Sequence, residues 1–142
     1  PPTLALRTQP LVTAFDQASG AFMRNMGLGR RYVDGKLGMT FVLETHVTYD
    51  RELKEGAPLR FTTQLLARDA KRVHLFHEMY HAEQGYLAST NETIVMNINY
   101  ETRRSGPWPA PVAERLDAIW ETHKVLPKPA KAGRVMSLSK KS

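Results

Sequence analysis

Glu44 and His46 stand two residues apart in a stretch, 38–50, where apolar and polar residues alternate. In a β-strand that spacing puts both side chains on one face. A carboxylate beside an imidazole can orient the ring or shift its pKa, and the two together can hold and activate a water. The same pair can equally be a cross-strand ion pair on a solvated face, and the spacing leaves both readings open. Asp16 is a second candidate carboxylate, next to Phe15 in a stretch with helical periodicity. It can serve as a base or simply as an acidic residue favoured in an early helical turn. Lys71 and Arg72 at a strand start, and Arg103 and Arg104 after the last strand, could pair with phosphate groups. Thr63 and Asn91 are neutral polar residues on strands that could line a site. His74, His77 and His81 raise the question of a metal. His77 and His81 share strand parity but lie about 13 Å apart, and His74 faces the other way, so no shared ion is expected.

The elements that must position these residues are set by periodicity. Leu11, Phe15, Ala18, Phe22 and Met26 recur at helical spacing, which predicts a helix over about 10–27 that Gly27 and Gly29 end. Ahead of it, residues 3–7 suggest a short strand, and residues 30–35 a turn or short helical piece. Four strands are expected at 38–50, 59–68, 71–82 and 86–101, with a turn around Gly56 and another at Gln84–Gly85. On the first of them, Phe41, Leu43, Thr45, Val47 and Tyr49 should share the face opposite Glu44, His46, Thr48 and Asp50. Short connections predict an antiparallel meander. Val112, Leu116, Ile119 and Trp120 mark a last helix ending near His123. A sheet of this size must cover something, and the apolar stripe of the first helix is the simplest candidate.

Length and composition are those of one soluble globular domain. No apolar run approaches the roughly 18 residues of a membrane span, and Pro1 to Pro10 does not read as a signal peptide. The absence of cysteine excludes disulfides and thiol nucleophiles and fits a reducing cytoplasm. The net charge of +6 is local: six of the 20 Lys and Arg, and none of the 14 Asp and Glu, lie beyond residue 123. The excess reads as a solvated Pro/Lys tail, and no nucleic-acid-binding face is expected.

Phe15-Asp16-Gln17-Ala18, Val42-Leu43-Glu44-Thr45-His46, Gly56, Thr62-Thr63-Gln64-Leu65-Leu66 and Lys71-Arg72-Val73-His74-Leu75-Phe76-His77 occur in this order. With Pro107 to Leu116 and Ala132-Gly133-Arg134, they resemble the hotdog-fold acyl-CoA thioesterases. The likeness is greatest to the 4-hydroxybenzoyl-CoA-thioesterase-like group with its betainyl-CoA and carnitine-pathway members. The resemblance implies an α+β hotdog fold, an antiparallel sheet wrapped around a long central helix, in a domain over 1–123 with the basic tail at 124–142. It implies hydrolysis of a short or small polar acyl-CoA without a cofactor or metal, in a cytoplasmic homodimer or higher oligomer that binds neither nucleic acid nor membrane. Glu44, His46 and Asp16 are then the catalytic candidates, and Thr63, Lys71, Arg72 and Asn91 the substrate contacts. The thioester is expected between the N-terminal end of the first helix, whose N–H groups polarise the carbonyl, and the strand bearing Glu44 and His46. One departure stands out. Many relatives carry Asp-x-x-Gly-His-x-Asn-x-x-x-Tyr at the start of the helix. Here Pro1, Leu4, Ala5 and Leu11 occupy the Asp, Gly, His and Tyr positions. Another carboxylate, a segment outside this sequence, or a non-catalytic acyl-binding or assembly module each accounts for that departure.

Overall fold

The computed structural model describes residues 11–28, 35 and 38–138, without the side chains of Leu11, Val12, Thr13 and Asp16. The short strand expected at 3–7, and all but Gly35 of the turn or short helical piece expected over 30–35, lie outside the described residues. Helix α1 spans Leu11–Asn25, followed by strands β1 (Gly38–Tyr49), β2 (Leu59–Arg68), β3 (Arg72–His81) and β4 (Leu87–Asn99) and by helix α2 (Ala110–His123). The expected α+β architecture is present: α1 packs on one face of a four-stranded antiparallel sheet.

α1 ends where its sequence says it should. Gly27 adopts φ 80, a left-handed conformation that costs a residue with a Cβ. The Leu28 N–H donates to the Met23 carbonyl at 2.8 Å and the Gly27 N–H to the Arg24 carbonyl at 3.0 Å. Those two bonds satisfy carbonyls that the helix end leaves free, and Leu28 turns back into the core beside Met23 and Phe22. Phe15, Phe22 and Met26 are buried, as the stripe predicts. In α2, Val112 and Leu116 are buried, and Ile119 and Trp120 pack against the same cluster.

Two expectations about the sheet are corrected. The strand order is β1-β4-β3-β2, not a simple meander. β2, β3 and β4 are consecutive neighbours, but β1 pairs with β4 at the far edge. Crossing the sheet requires about 15 Å at the usual strand spacing, and the connection 50–58 is long enough to span it. The second correction concerns β1. Its register shifts between Val42 and Glu44, a bulge that leaves Leu43 out of the ladder. The Thr93 hydroxyl donates to the Glu44 carbonyl there, at 3.2 Å. Beyond the bulge Glu44, His46 and Thr48 pair with Ile94, Glu92 and Thr90; before it Phe41 pairs with Met96. Phe41 therefore shares the face of Glu44 and His46, and not that of Thr45, Val47 and Tyr49.

The residues beyond α2 are also more than a solvated tail. Gln64 donates from Nε2 to the Pro127 carbonyl at 3.3 Å, and the Gly133 N–H donates to Glu92 Oε1 at 2.7 Å. Lys131 pairs with Asp50, and Ala132 is buried. Gln64 lies on β2, Glu92 on β4 and Asp50 just past β1. Residues 124–134 thus cross the sheet from β2 toward β1, on the face away from α1.

Candidate active site

Directly paired residues on neighbouring strands point to one face. On the face toward α1, the row Val47, Asn91, His77, Thr63 runs across all four strands. His77 is its centre. The ring is fully buried, with Nε2 2.9 Å from the Ser19 hydroxyl of α1 and Nδ1 2.8 Å from the Thr63 hydroxyl. The Phe15 ring lies against it, with centroids 6.5 Å apart. Thr45 donates to Asn91 Oδ1 at 3.4 Å and extends the polar groups onto β1. Thr45 and Tyr49 remain exposed because α1 packs on β2 and β3.

This layer divides the core. One apolar cluster holds Phe22, Met26, Leu65, Leu75 and Leu116, and the other holds Phe15, Ala18, Phe61 and Met79. Residues 61, 63 and 65, and likewise 75, 77 and 79, are successive positions on the inner face. Thr63 and His77 are the polar members between apolar neighbours. Burial depresses the His77 pKa to about 4. The ring is neutral at neutral pH, donating from one nitrogen and accepting at the other. The ring's two nitrogens meet the Ser19 and Thr63 hydroxyls, an arrangement that fixes the position of both.

The opposite face carries a different set. Glu44, His46, His74, Glu92, Thr93, Ile94, Gly133 and Arg134 line a groove of about 220 Å³. His74 Nε2 is 2.6 Å from Glu92 Oε2. A neighbouring groove of about 310 Å³ continues past Gln64, Trp120, Lys124 and Lys128. Among the described residues no group of three or more His, Cys, Asp or Glu is arranged to hold a metal ion.

The expected site residues are thus divided. Thr63 and Asn91 come together through His77, beside α1. Glu44 and His46 do share a face, but it is the face away from α1. Within one protomer they do not form a single cleft with that helix, because strand parity sends them to the other side of the sheet. Lys71 ends the β2–β3 turn and Arg72 opens β3. Their backbone N–H groups both donate to Asp69 Oδ1, and Arg72 Nε donates to Asp69 Oδ2 at 2.7 Å. The Arg72 side chain holds the Asp69 carboxyl below the usual carboxylate range. The side chain of Asp16 lies outside the described residues. Ser19 and the bridging role of His77 were not anticipated. A signal for Ser19 was present: it is a hydroxyl set into the stripe between Phe15 and Phe22.

The profile of the thioesterase-like superfamily matches residues 4–116. The chain is 34% identical over 133 residues to a betainyl-CoA thioesterase of Pseudomonas aeruginosa, covering 94% of this chain and 84% of that protein. It is 33% identical over 120 residues to an L-carnitine dehydrogenase/betainyl-CoA thioesterase of Rhizobium meliloti, covering 84% of this chain and 24% of that protein. It therefore spans about a quarter of that two-activity relative. Among solved structures, a protein from Staphylococcus aureus in complex with CoA superposes with a TM-score of 0.85 at 26% identity. That match covers 97% of this chain and 92% of the other. With the antiparallel sheet, the packed helix and the family match over most of its length, the chain belongs to the thioesterase-like superfamily.

Proposed function

We propose that this protein is an acyl-CoA thioesterase acting on a short or small polar acyl group, with betainyl-CoA the first substrate to test. The observation that carries this reading is the 34% identity to a betainyl-CoA thioesterase across 94% of the chain. In this reading water adds to the thioester carbonyl, the C–S bond breaks, and the products are the free acid and the CoA thiol. The inner-face row beside α1 is the proposed site. Apart from Val47, its side chains are hydroxyls, an amide and a neutral imidazole, which suit a carbonyl and a small polar acyl group better than a long alkyl chain.

The carboxylate that activates the water is assigned by position. Glu44 is on the other face of the sheet. Asp16 is on α1, three positions before Ser19, and residues so spaced are neighbours on a helix. Asp16 is therefore the proposed base. Ser19, held by His77, is proposed to position the water or the carbonyl oxygen.

The site is proposed to be completed by a second copy of the chain. β1 pairs only with β4 among the described residues, and it exposes Phe41, Val42, Leu43 and Tyr49. A bare edge with exposed apolar residues is a liability that pairing removes. A symmetric homodimer joined at the β1 edges meets that need. The other edge is partly closed, since the Leu65 N–H donates to His123 Nδ1 at 2.9 Å. No helix among the described residues is long and apolar enough to cross a membrane. A cysteine-free chain acting on CoA esters fits the cytoplasm.

The test is steady-state release of CoA thiol from a panel of betainyl-, acetyl-, butyryl-, benzoyl- and palmitoyl-CoA. Turnover of the short or cationic members is expected. Thiol release from none of them sinks the hydrolytic reading. CoA-ester binding without turnover would then favour an acyl-binding or assembly module.

A further inference from the structure

We infer that the C-terminal segment is a reciprocal clasp between two copies of the chain, each segment ending on the outer face of the partner's sheet. The clasp rests on the β1-edge dimer proposed above and adds to it a part for residues 135–138.

The segment lies across the outer face of the sheet from β2 to β1, with Lys131 paired to Asp50 just past β1. It leaves α2, passes Gln64 on β2, reaches Glu92 on β4, and at Arg134 lines the groove with Glu44 and His46 of β1. Among the described residues β1 is the last strand of the sheet. Arg134 thus stands beside the edge strand, and the residues after it are within reach of whatever pairs with that edge.

The segment is also fixed just before that edge. The Gly133 N–H to Glu92 contact, the Lys131–Asp50 ion pair and the burial of Ala132 hold it there. Gly133 takes φ 72, a conformation that favours glycine, so the turn at that point is built into the sequence.

Beyond the turn, Val135 and Met136 are each 84% exposed and Leu138 is fully exposed. These are three large, exposed apolar side chains within four residues, on a segment otherwise rich in Lys and Pro. Phe41, Val42 and Leu43, at the same edge, are 55%, 63% and 47% exposed. Two separate stretches of the chain thus bring uncovered apolar groups to one edge of the sheet.

A second copy paired at β1 meets both needs. Its first strand would lie about 4.8 Å beyond this β1, and four extended residues reach about 13 Å. That is enough to lay residues 135–138 over the partner's β1 and toward the β4 beside it. Two-fold symmetry returns the partner's segment in the same way, so each segment covers the other protomer's Phe41 on the outer face, and strand pairing itself shields the rest of the edge.

The test uses the full-length chain and its variant Val135→Ser/Met136→Ser/Leu138→Ser. All three positions are exposed in the protomer, so the variant should keep the parent's far-UV circular dichroism. Sedimentation equilibrium then gives the dimer dissociation constant. Loss of six buried side chains per dimer should raise it by at least about 100-fold. A parent dimer whose variant associates equally tightly overturns the clasp and leaves the β1-edge dimer standing. A parent that stays monomeric at every concentration overturns both. As a second measurement, a benzophenone-bearing residue placed at Leu138 should give covalent dimers on illumination, with the crosslink in the partner's 39–48. Crosslinks confined to one chain overturn the clasp.

Discussion

Ser19 on α1 and His77 on β3 lie 58 positions apart in the chain and meet at 2.9 Å, where the Ser19 hydroxyl and His77 Nε2 share a hydrogen bond. With Thr63 at 2.8 Å from Nδ1, the ring ties the helix to two strands in the middle of an otherwise apolar core. A buried ring keeps this arrangement only while both hydroxyls are satisfied and the ring is uncharged.

That gives a pH dependence with a definite sign. In the unfolded chain His77 titrates near 6.5, and in the fold burial lowers it to about 4. Between those values the unfolded state binds the extra proton, so stability falls as pH drops from 6.5 toward 4. Above 6.5 the contribution is constant and fully present. The full loss is bounded at about 3 kcal/mol. Urea unfolding from pH 7 to pH 4 should show a steeper decline in the parent than in His77→Gln. Parallel declines would mean that the ring is not kept neutral.

Replacing His77 by Phe keeps an aromatic ring but strands the Ser19 and Thr63 hydroxyls. One unsatisfied buried polar group costs about 1–3 kcal/mol. A stability loss of about 2 kcal/mol or more is expected at pH 7. If His77→Phe is as stable as the parent, the hydrogen bonds contribute little.

The two faces of the sheet separate the two carboxylates experimentally. Asp16→Asn should lower kcat by about 100- to 10,000-fold, the range for loss of a general base. Glu44→Gln should retain activity within a few-fold, because Glu44 is on the face away from α1. Initial rates of thiol release on the best substrate decide it. The reverse ranking would place the chemistry on the outer groove with Glu44 and His46.

Glu92 holds the C-terminal segment through the Gly133 N–H and also meets His74 at 2.6 Å. Glu92→Ala should loosen the segment without unfolding the sheet. Trypsin should then cleave after Lys131 and Arg134 several-fold faster than in the parent, as read by mass spectrometry. Unchanged cleavage would show that the Lys131–Asp50 pair and Ala132 suffice to hold it.

Gly27 is the remaining backbone test. Its φ of 80 suits glycine, and a left-handed conformation costs other residues about 1–2 kcal/mol. Gly27→Ala should lower Tm by several degrees while leaving the helix content at 222 nm nearly unchanged. An unchanged Tm would mean that the turn can relax into another conformation.

What the sequence alone determined is whatever local periodicity encodes. The stripe Phe15, Ala18, Phe22, Met26 can be buried on only one side of a helix, and it is. The alternation in 59–68, 71–82 and 86–101 placed β2, β3 and β4 within a residue or two, and put Thr63 opposite to Gln64. Glu44 and His46 share a face because no bulge falls between them. What only the tertiary structure decided is non-local. Nothing near β1 says that it pairs with β4 and not β2, because partner choice depends on how the whole sheet packs. A single unpaired residue at Leu43 moved Phe41 to the face of Glu44, since strand parity is lost with every bulge. Composition made 124–142 look solvated, whereas Glu92, Asp50 and Gln64 hold residues 127–133 on the sheet. Ser19 and His77 each read as unremarkable by themselves. Their role exists only because the helix and the third strand, distant in sequence, are packed until two polar atoms must satisfy each other.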